Sequence, residues 1–411
     1  MKKKKYTIID LFAGTSALSE GFINHGFVPL SHIEMDTNAC DTIRTRVAFH
    51  YLKSKNNLKI YYDYLRNEIT RDKLYSEIPK YYLDSVINKE ISDSTIPEIF
   101  NQIESSRLFK NNGGKVDFIV GGPPCQAYSM VLRHKKGIEC DDRCFLYKLY
   151  GKFLEHYKPY GFVFENVVGL LSAAGGKHYK GLNELFKGYG YDLYPLILHA
   201  NDYGVLQTRK RLLIIGWKEN TIFNGNAPDV IENKWTTKDI FSDLPDIQAN
   251  SRSEQYKSEP TEYLEHFGLR SKDDVLTWHQ ARPLNEIDRQ KYIYAVKEKL
   301  EHNRRISYLE FDDDLQTMKR VNAFTDRFKV IDPNGLSQTI VAHLAKDGHY
   351  YIYPSLKYVR SISVREAARL QSFPDNFFFE GSRSAAFKQI GNAVPPLLSE
   401  AIAKKIINSL K

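Results

Sequence analysis

The sequence predicts an α/β protein: a sheet of parallel strands joined by helical crossovers, followed by a second, smaller domain. Three observations carry that reading. Residues 6–34 read as strand, loop, helix, strand, which is a βαβ unit. The same alternation returns between Val116 and Trp217. Beyond Trp217 it stops, and residues 220–355 become richer in charge, Tyr, Asn, Asp and Pro.

The elements follow in order. Tyr6 to Phe12 is an apolar strand, and Ala13-Gly14-Thr15-Ser16 turns the chain. Leu18, Phe22 and Ile23 sit at helical spacing, with Gly26 as a C-terminal cap. Phe27 to Ile33 is the next strand, ending at Glu34, and Thr37 to about Leu52 is helical. Residues 54–112 are polar, Tyr-rich and helical in pattern, and read as an insertion on the sheet rim. Val116–Val120 resumes the sheet. It is followed by a helix near Phe145–Tyr157, the strand Gly161–Phe164 ending at Glu165, and a helix near Tyr179–Gly188. Strands at Tyr191–His199 and Leu212–Trp217 complete the series. At the end of the chain, Pro395 and Pro396 open a final helix to about Leu410.

Composition narrows the function. With 411 residues and 42% hydrophobic side chains, the chain can bury a sizeable core. No apolar run approaches membrane-spanning length, and the basic start Met1-Lys2-Lys3-Lys4-Lys5 lacks a signal-peptide pattern, so a cytoplasmic protein is expected. Four cysteines (Cys40, Cys125, Cys140, Cys144) make no disulfide framework. Cys140 and Cys144 lack the partners of a zinc site, although His134 is near, so no metal is expected. The net charge of +8 is a moderate bias toward polyanions.

Four segments, together with Glu34, carry chemistry. In Gly121-Gly122-Pro123-Pro124-Cys125-Gln126, an apolar strand runs into two glycines and two rigid prolines, which present Cys125 as a candidate nucleophile. The turn at Asp10–Leu18 is built of small residues over a helix N-terminus, though it is not GxGxxG. Glu34 follows Gly14 by 20 positions, a spacing suited to an acidic contact with a ribose diol. Glu165 lies at the carboxyl edge of the sheet, where ligands bind in open α/β folds. Gln207, Arg209 and Arg211 alternate, and on a strand they would share one face able to grip a phosphate or a base oxygen. A surface Glu and a solvated basic strand are the plain alternatives.

Taken together these segments resemble the DNA 5-cytosine methyltransferases of bacterial restriction–modification type. Asp10-Leu11-Phe12-Ala13-Gly14 is similar to that family's cofactor motif, Pro123-Pro124-Cys125-Gln126 to its nucleophile motif, and Glu165-Asn166-Val167 to its base-recognition motif. Gln207-Thr208-Arg209-Lys210-Arg211 matches its QxRxR motif. Arg365 to Pro374 and Gln389 to Pro396 match its two late motifs. The matches fall in the family's order and span about two thirds of the chain. The family's cofactor turn usually continues in glycines, where Thr15-Ser16-Ala17 stand here.

The resemblance implies a Rossmann-like S-adenosylmethionine-dependent sheet and a smaller DNA-recognition domain. Residues 1–220 would form the catalytic and cofactor-binding domain, with the insertion at about 54–112, completed by 386–411. Residues 221–385 would form the target-recognition domain. It implies that Cys125 attacks carbon 6 of a flipped-out cytosine, that Glu165 bonds ring nitrogen 3 and the exocyclic amine, and that Arg211, with Arg209 second, holds the base oxygen or positions a phosphate. S-Adenosylmethionine, leaving as S-adenosylhomocysteine, would sit on Phe12, Ala13, Gly14, Thr15, Ala17, Leu18, Glu34 and Met35, closed by Asn392 and Val394. An acidic contact to the adenine amine falls on Glu90, beside Ile91, with Asp63 as runner-up. Ser337 to His343, with Lys346-Asp347-Gly348, would be small-domain framework. The implied partners are double-stranded DNA and a cognate restriction endonuclease acting separately, the enzyme itself being a monomer. A tRNA 5-cytosine methyltransferase and an inactive DNA-binding homologue are the alternatives.

Overall fold

The computed structural model describes residues 5–124, 146–218, 223, 225–317 and 325–410. Its strands, in chain order, are Thr7–Leu11 (β1), Val28–Glu34 (β2), Val86–Asn88 (β3), Phe118–Gly121 (β4), Gly161–Asn166 (β5), Tyr191–His199 (β6), Gln207–Thr208 (β7), Lys210–Lys218 (β8) and Ser337–Gln338 (β9). Seven form one sheet in the order β3-β2-β1-β4-β5-β8-β6, and β7 pairs with β9 in a second, two-stranded sheet. Pairing is parallel from β3 to β5, whereas β8 runs antiparallel to both β5 and β6. The expected parallel sheet therefore has one reversed strand, because β6 returns directly into β8 without a helical crossover.

Both faces of the sheet are covered, which is why its strands read as unbroken apolar runs. On one face Ile8, Phe118, Val120, Val163, Leu213 and Ile215 pack against Phe22 and the helix Pro396–Ser409. On the other, Ile9, Ile119, Phe162, Phe164, Leu212 and Ile214 meet Tyr150, Phe153, Leu182 and Phe186 from the helices Leu146–Tyr157 and Lys177–Gly188.

Two expectations change here. The stretch 54–112 is not wholly an insertion, since it contributes β3, the edge strand beside β2. Its helix Ile96–Ser105 packs Ile99 and Ile103 into the sheet's second face. The boundary drawn at 385 is also not a boundary in packing. Leu370, Phe373, Phe377 and Phe379 share one buried cluster with Ile8, Phe22 and Val163. A separate small core gathers Tyr292, Val296, Ile306, Tyr308, Phe311, Phe328, Ile352 and Val359 instead.

The helix Val364–Leu370 explains how the second half is held. Its Ser363 and Glu366 form a capping box. Arg369, fully buried, bonds Asp243 Oδ1 and Asp375 Oδ2, each at 2.5 Å, and Arg270 also pairs with Asp243. Arg360 grips Glu366 through two bonds of 2.7 and 2.8 Å. Burial alone would raise the Asp375 and Glu366 carboxyls, but their arginine partners hold both below the usual range.

Candidate active site

The register lines up four strand ends. Leu11 of β1 faces Ile33 of β2 and Gly121 of β4, and Gly121 faces Phe164 of β5. Glu34, the turn Phe12–Ser16, the Gly122-Pro123-Pro124 segment and Glu165 therefore emerge side by side at one carboxyl edge. At about 4.8 Å per strand spacing, the row spans roughly 14 Å.

The turn after β1 is tightly specified. Phe12, Gly14 and Ser16 all adopt left-handed backbone, with φ of 53°, 56° and 61°. Gly14 N–H donates to Glu34 Oε2 at 2.8 Å, while Met35 and Asp36 N–H donate to Oε1 at 2.9 and 2.8 Å. Burial pushes the Glu34 carboxyl up from its ordinary value, and these three donors oppose that shift. A carboxylate has about four acceptor sites, so Oε2 keeps one for a hydroxyl. Beneath the turn, buried Asp10 accepts from Ser16 Oγ at 3.2 Å and from Ser19 Oγ, and Ser16 Oγ lies 2.9 Å from His32 Nδ1. These short polar side chains hold Ser16 where a glycine would be the easier choice.

An S-adenosylmethionine molecule fits this seat on three counts. Open space lies where Gly14 would carry a Cβ. The buried Thr15 hydroxyl has no hydrogen-bond partner among the described residues. Met35, 62% exposed, offers an apolar side chain next to Glu34. Ala17 and Leu18 are buried at the start of the helix Ala17–Asn24. Glu90 is exposed just beyond β3, with buried Ile91 after it. Asp63 is instead tied within its own helix to Lys59 at 2.7 Å and Arg66 at 3.6 Å. Asn392 is exposed at the end of the helix Arg383–Asn392, and Val394 is buried. That helix rests on the segment after Glu34, through Lys388–Asp36 at 2.8 Å and Thr42–Gln389 at 2.7 Å.

The second half of the edge is built around Glu165. A Cβ on Gly121 would lie 2.4 Å from Leu11 O, and one on Gly122 would lie 2.7 Å from Glu165 Oε2. Backbone thus requires the glycine at 121, whereas a side chain at 122 would displace the Glu165 carboxylate; neither glycine has positive φ. Asn166 Nδ2 donates to Pro123 O at 3.2 Å and fixes the proline segment from below. Glu165 Oε1 pairs with Arg211 Nε at 2.8 Å, both side chains being mostly buried. Because β8 is reversed, its first residues lie at the carboxyl edge, which is how Arg211 reaches Glu165. Cys125 and Gln126, which follow Pro124 in the chain, lie outside the described residues, as do His134, Cys140 and Cys144.

Arg209 and Arg211 part company. The chain leaves β7 and enters β8 around Arg209, whose buried guanidinium donates to Ile340 O at 2.6 Å and to Ala393 O at 2.7 Å. Gln207 likewise bonds Leu370 O and Gln371 Oε1, each at 2.7 Å, and accepts from Ile340 N at 3.0 Å. The expected single face of Gln207, Arg209 and Arg211 is therefore replaced by two. Gln207 and Arg209 join the strand junction to the second half of the chain, and Arg211 alone meets Glu165. Burial rules out a phosphate grip by Arg209 and leaves it a positioning role.

Sequence reasoning did not assign Asn166, Ser19 or His32. The available signals were an Asn directly after the site glutamate and a lone Asp10 within an apolar strand. Among the described residues, no cluster of His, Cys, Asp and Glu could hold a metal ion, and no helix is long and apolar enough to cross a membrane.

Comparison with known proteins places the geometry in a family. The model of C-5 cytosine-specific DNA methylases matches residues 75–408. The chain is 37% identical to the type II methyltransferase M.Bpa9945I of Bacillus paralicheniformis, over 97% of this chain and 98% of that protein. It is 30% identical to the type II methyltransferase M.DdeI of Desulfomicrobium norvegicum, over 97% and 88%. In fold it is similar to the Entamoeba histolytica methyltransferase EhMeth, with a TM-score of 0.59 at 15% identity, covering both chains fully.

Proposed function

The chain belongs to the C-5 cytosine-specific DNA methylase family, and from that membership we propose that it methylates carbon 5 of a flipped-out cytosine within a specific duplex sequence, through a covalent Cys125 adduct. The observation that carries the reading is Glu165, wedged between Gly122 and Arg211 beside the proline segment that leads to Cys125.

Cytosine carbon 5 is a poor nucleophile until the ring is saturated at carbon 6. The Cys125 thiolate adds there and leaves carbon 5 enamine-like. Glu165, protonated when the base is bound, donates its proton toward ring nitrogen 3 and accepts from the exocyclic amine, so the charge brought by the thiolate is neutralised on the ring, and it takes that proton back when Cys125 leaves. Arg211, anchored by its pair with Glu165, holds the base oxygen. Bound S-adenosylmethionine supplies the electrophilic methyl group. Phe12, Ala13, Gly14, Thr15, Ala17 and Leu18 line its seat. Glu34 takes the ribose hydroxyls, Met35 and Glu90 with Ile91 the adenine, and Asn392 with Val394 closes the site. Water then takes the carbon-5 proton and Cys125 leaves. The base must leave the duplex for this chemistry, at a cost of a few kcal/mol that phosphate and pocket contacts offset. Relatives named as type II methyltransferases support a modification role opposite a separately acting restriction endonuclease.

Expression in a host without DNA methylation, followed by mapping of 5-methylcytosine over the genome, tests the reading. One short methylated sequence is the expected result. Unmodified DNA together with 5-methylcytosine in tRNA would overturn the duplex substrate.

A further inference from the structure

Two arginines near the Arg209 junction have no acidic partner among the described residues. Arg282 donates to Leu344 O at 2.6 Å, and its guanidinium lies 5.4 Å from the centre of the Phe387 ring. Arg383 begins the helix Arg383–Asn392, four residues before Phe387 and so on the same face. Neither arginine forms an ion pair among the described residues, and the Nε of each is buried without a hydrogen-bond partner. Burial lowers the affinity of Arg282 for its proton, and the charge of Arg383 lowers it further, so the two cations sit close enough to repel. Asp347, whose charge also reaches Arg282, is already bound to Arg327. Exposed His343 and Lys346 lie on and just after the short turn Ala342–Ala345 that receives the Arg282 bond.

Like charges held together without a counter-ion cost free energy, and an anion relieves that cost. A helix N-terminus at Arg383 adds to the attraction for negative charge. The block carrying these residues is closely packed. A Cβ on Gly391 would lie 2.3 Å from the backbone of Val341 and Ala342, and Arg209 bonds the carbonyls of Ile340 and Ala393. The same junction leads, two residues later, to Arg211 and Glu165.

We propose that Arg282 and Arg383 clamp a backbone phosphate of duplex DNA. The inference rests on the proposed action on duplex DNA. The clamp anchors the strand on the second half of the chain while the sheet edge works on the base, and it carries no sequence information itself.

Fluorescence anisotropy of a labelled duplex, titrated over about 50–200 mM salt, tests it on the full chain. Arg282→Gln and Arg383→Gln should each weaken binding and reduce the slope of log affinity against log salt by about 1, with S-adenosylhomocysteine binding unchanged by calorimetry. Arg282→Lys should keep most of the slope. Should Arg282→Gln fail to fold because Arg282 packs on Phe387, Arg383→Gln decides alone. Wild-type slope in Arg383→Gln overturns the clamp and leaves the methylation reading intact. A wild-type chain that binds no duplex at all overturns both.

Discussion

The framework of the second half and the carboxyl edge of the sheet use arginine in opposite ways. Arg369 and Arg360 are buried, and each of their hydrogen bonds goes to a carboxylate or carbonyl of the same chain. Arg211, at the edge, has one carboxylate and one carbonyl, and lies beside the segment that carries Cys125. Arg282 and Arg383 have no carboxylate at all among the described residues. A basic motif therefore says little about ligand binding until the partners of each side chain are counted. Arg365 and Arg369, within the late motif at Arg365 to Pro374, are both fully buried.

The contrast can be broken most sharply at Arg369. Arg369→Met leaves Asp243 and Asp375 buried with reduced compensation and should cost about 3–5 kcal/mol in urea unfolding. A loss below about 1 kcal/mol would mean the framework does not depend on its ion pairs. Arg209→Gln should follow, at about 2–3 kcal/mol, because buried carbonyls at residues 340 and 393 lose a charged donor. Its methylation rate and cofactor affinity should fall together, as expected when the strand junction shifts. Arg211→Gln should behave differently. Stability should fall less than in Arg369→Met, because the pair with Glu165 keeps some access to solvent, while the methylation rate drops by about 100-fold or more. Cofactor affinity measured by calorimetry should stay at the wild-type value. A variant that lost stability and kept its rate would move Arg211 into the framework group.

The smallest effect concerns pH. The carboxyls of Glu366, Asp375 and Glu20 have folded-state values below their ordinary ones; for Glu20, Arg46 and His50 outweigh the burial that opposes them. Groups depressed in this way contribute stability that is fully present above the unfolded values, 4.5 for Glu and 3.8 for Asp. That contribution is lost as pH falls through the folded values. Glu34, raised by burial, acts in the opposite sense, favouring the folded state when protonated and losing that contribution as pH rises. Asp274 and Glu400 are raised by burial as well, but Asp36, Glu262 and Glu310 are depressed, and burial also lowers His50, His279 and His349. Depressed groups therefore prevail, and urea midpoints should begin to fall as pH drops below the unfolded histidine value of 6.5 and decline further through the carboxylate range. Glu366→Gln should lower the plateau and flatten the decline. Midpoints that rise on acidification would contradict the ion-pair account.

Much of this was legible in the sequence, and the gaps have physical causes. Apolar runs with helical spacing between them marked β1, β2, β4, β5 and β6. The interval from Gly14 to Glu34 reappears as a hydrogen bond of 2.8 Å. β3 was hidden because only three residues pair at the sheet edge, inside a polar, Tyr-rich stretch. The reversal of β8 was hidden because strand periodicity carries no direction. Arg209 read as a surface cation because a charged side chain is seldom fully buried, and its carbonyl partners lie more than a hundred residues away. Gly121 and Gly122 show in sequence only as part of the rigid segment before Cys125. The space they leave is filled by Leu11 O and the Glu165 carboxylate.

The most direct test uses a duplex in which the target cytosine, once mapped, is replaced by 5-fluorocytosine. Fluorine leaves no carbon-5 proton to remove, so the adduct cannot resolve after methyl transfer. Wild-type protein with S-adenosylmethionine should form a protein–DNA complex that survives denaturation. Cys125→Ser should form none, and Glu165→Gln far less at equal time. An adduct formed equally well by Cys125→Ser would contradict the assignment of the nucleophile and, with it, the site built around Glu165 and Arg211.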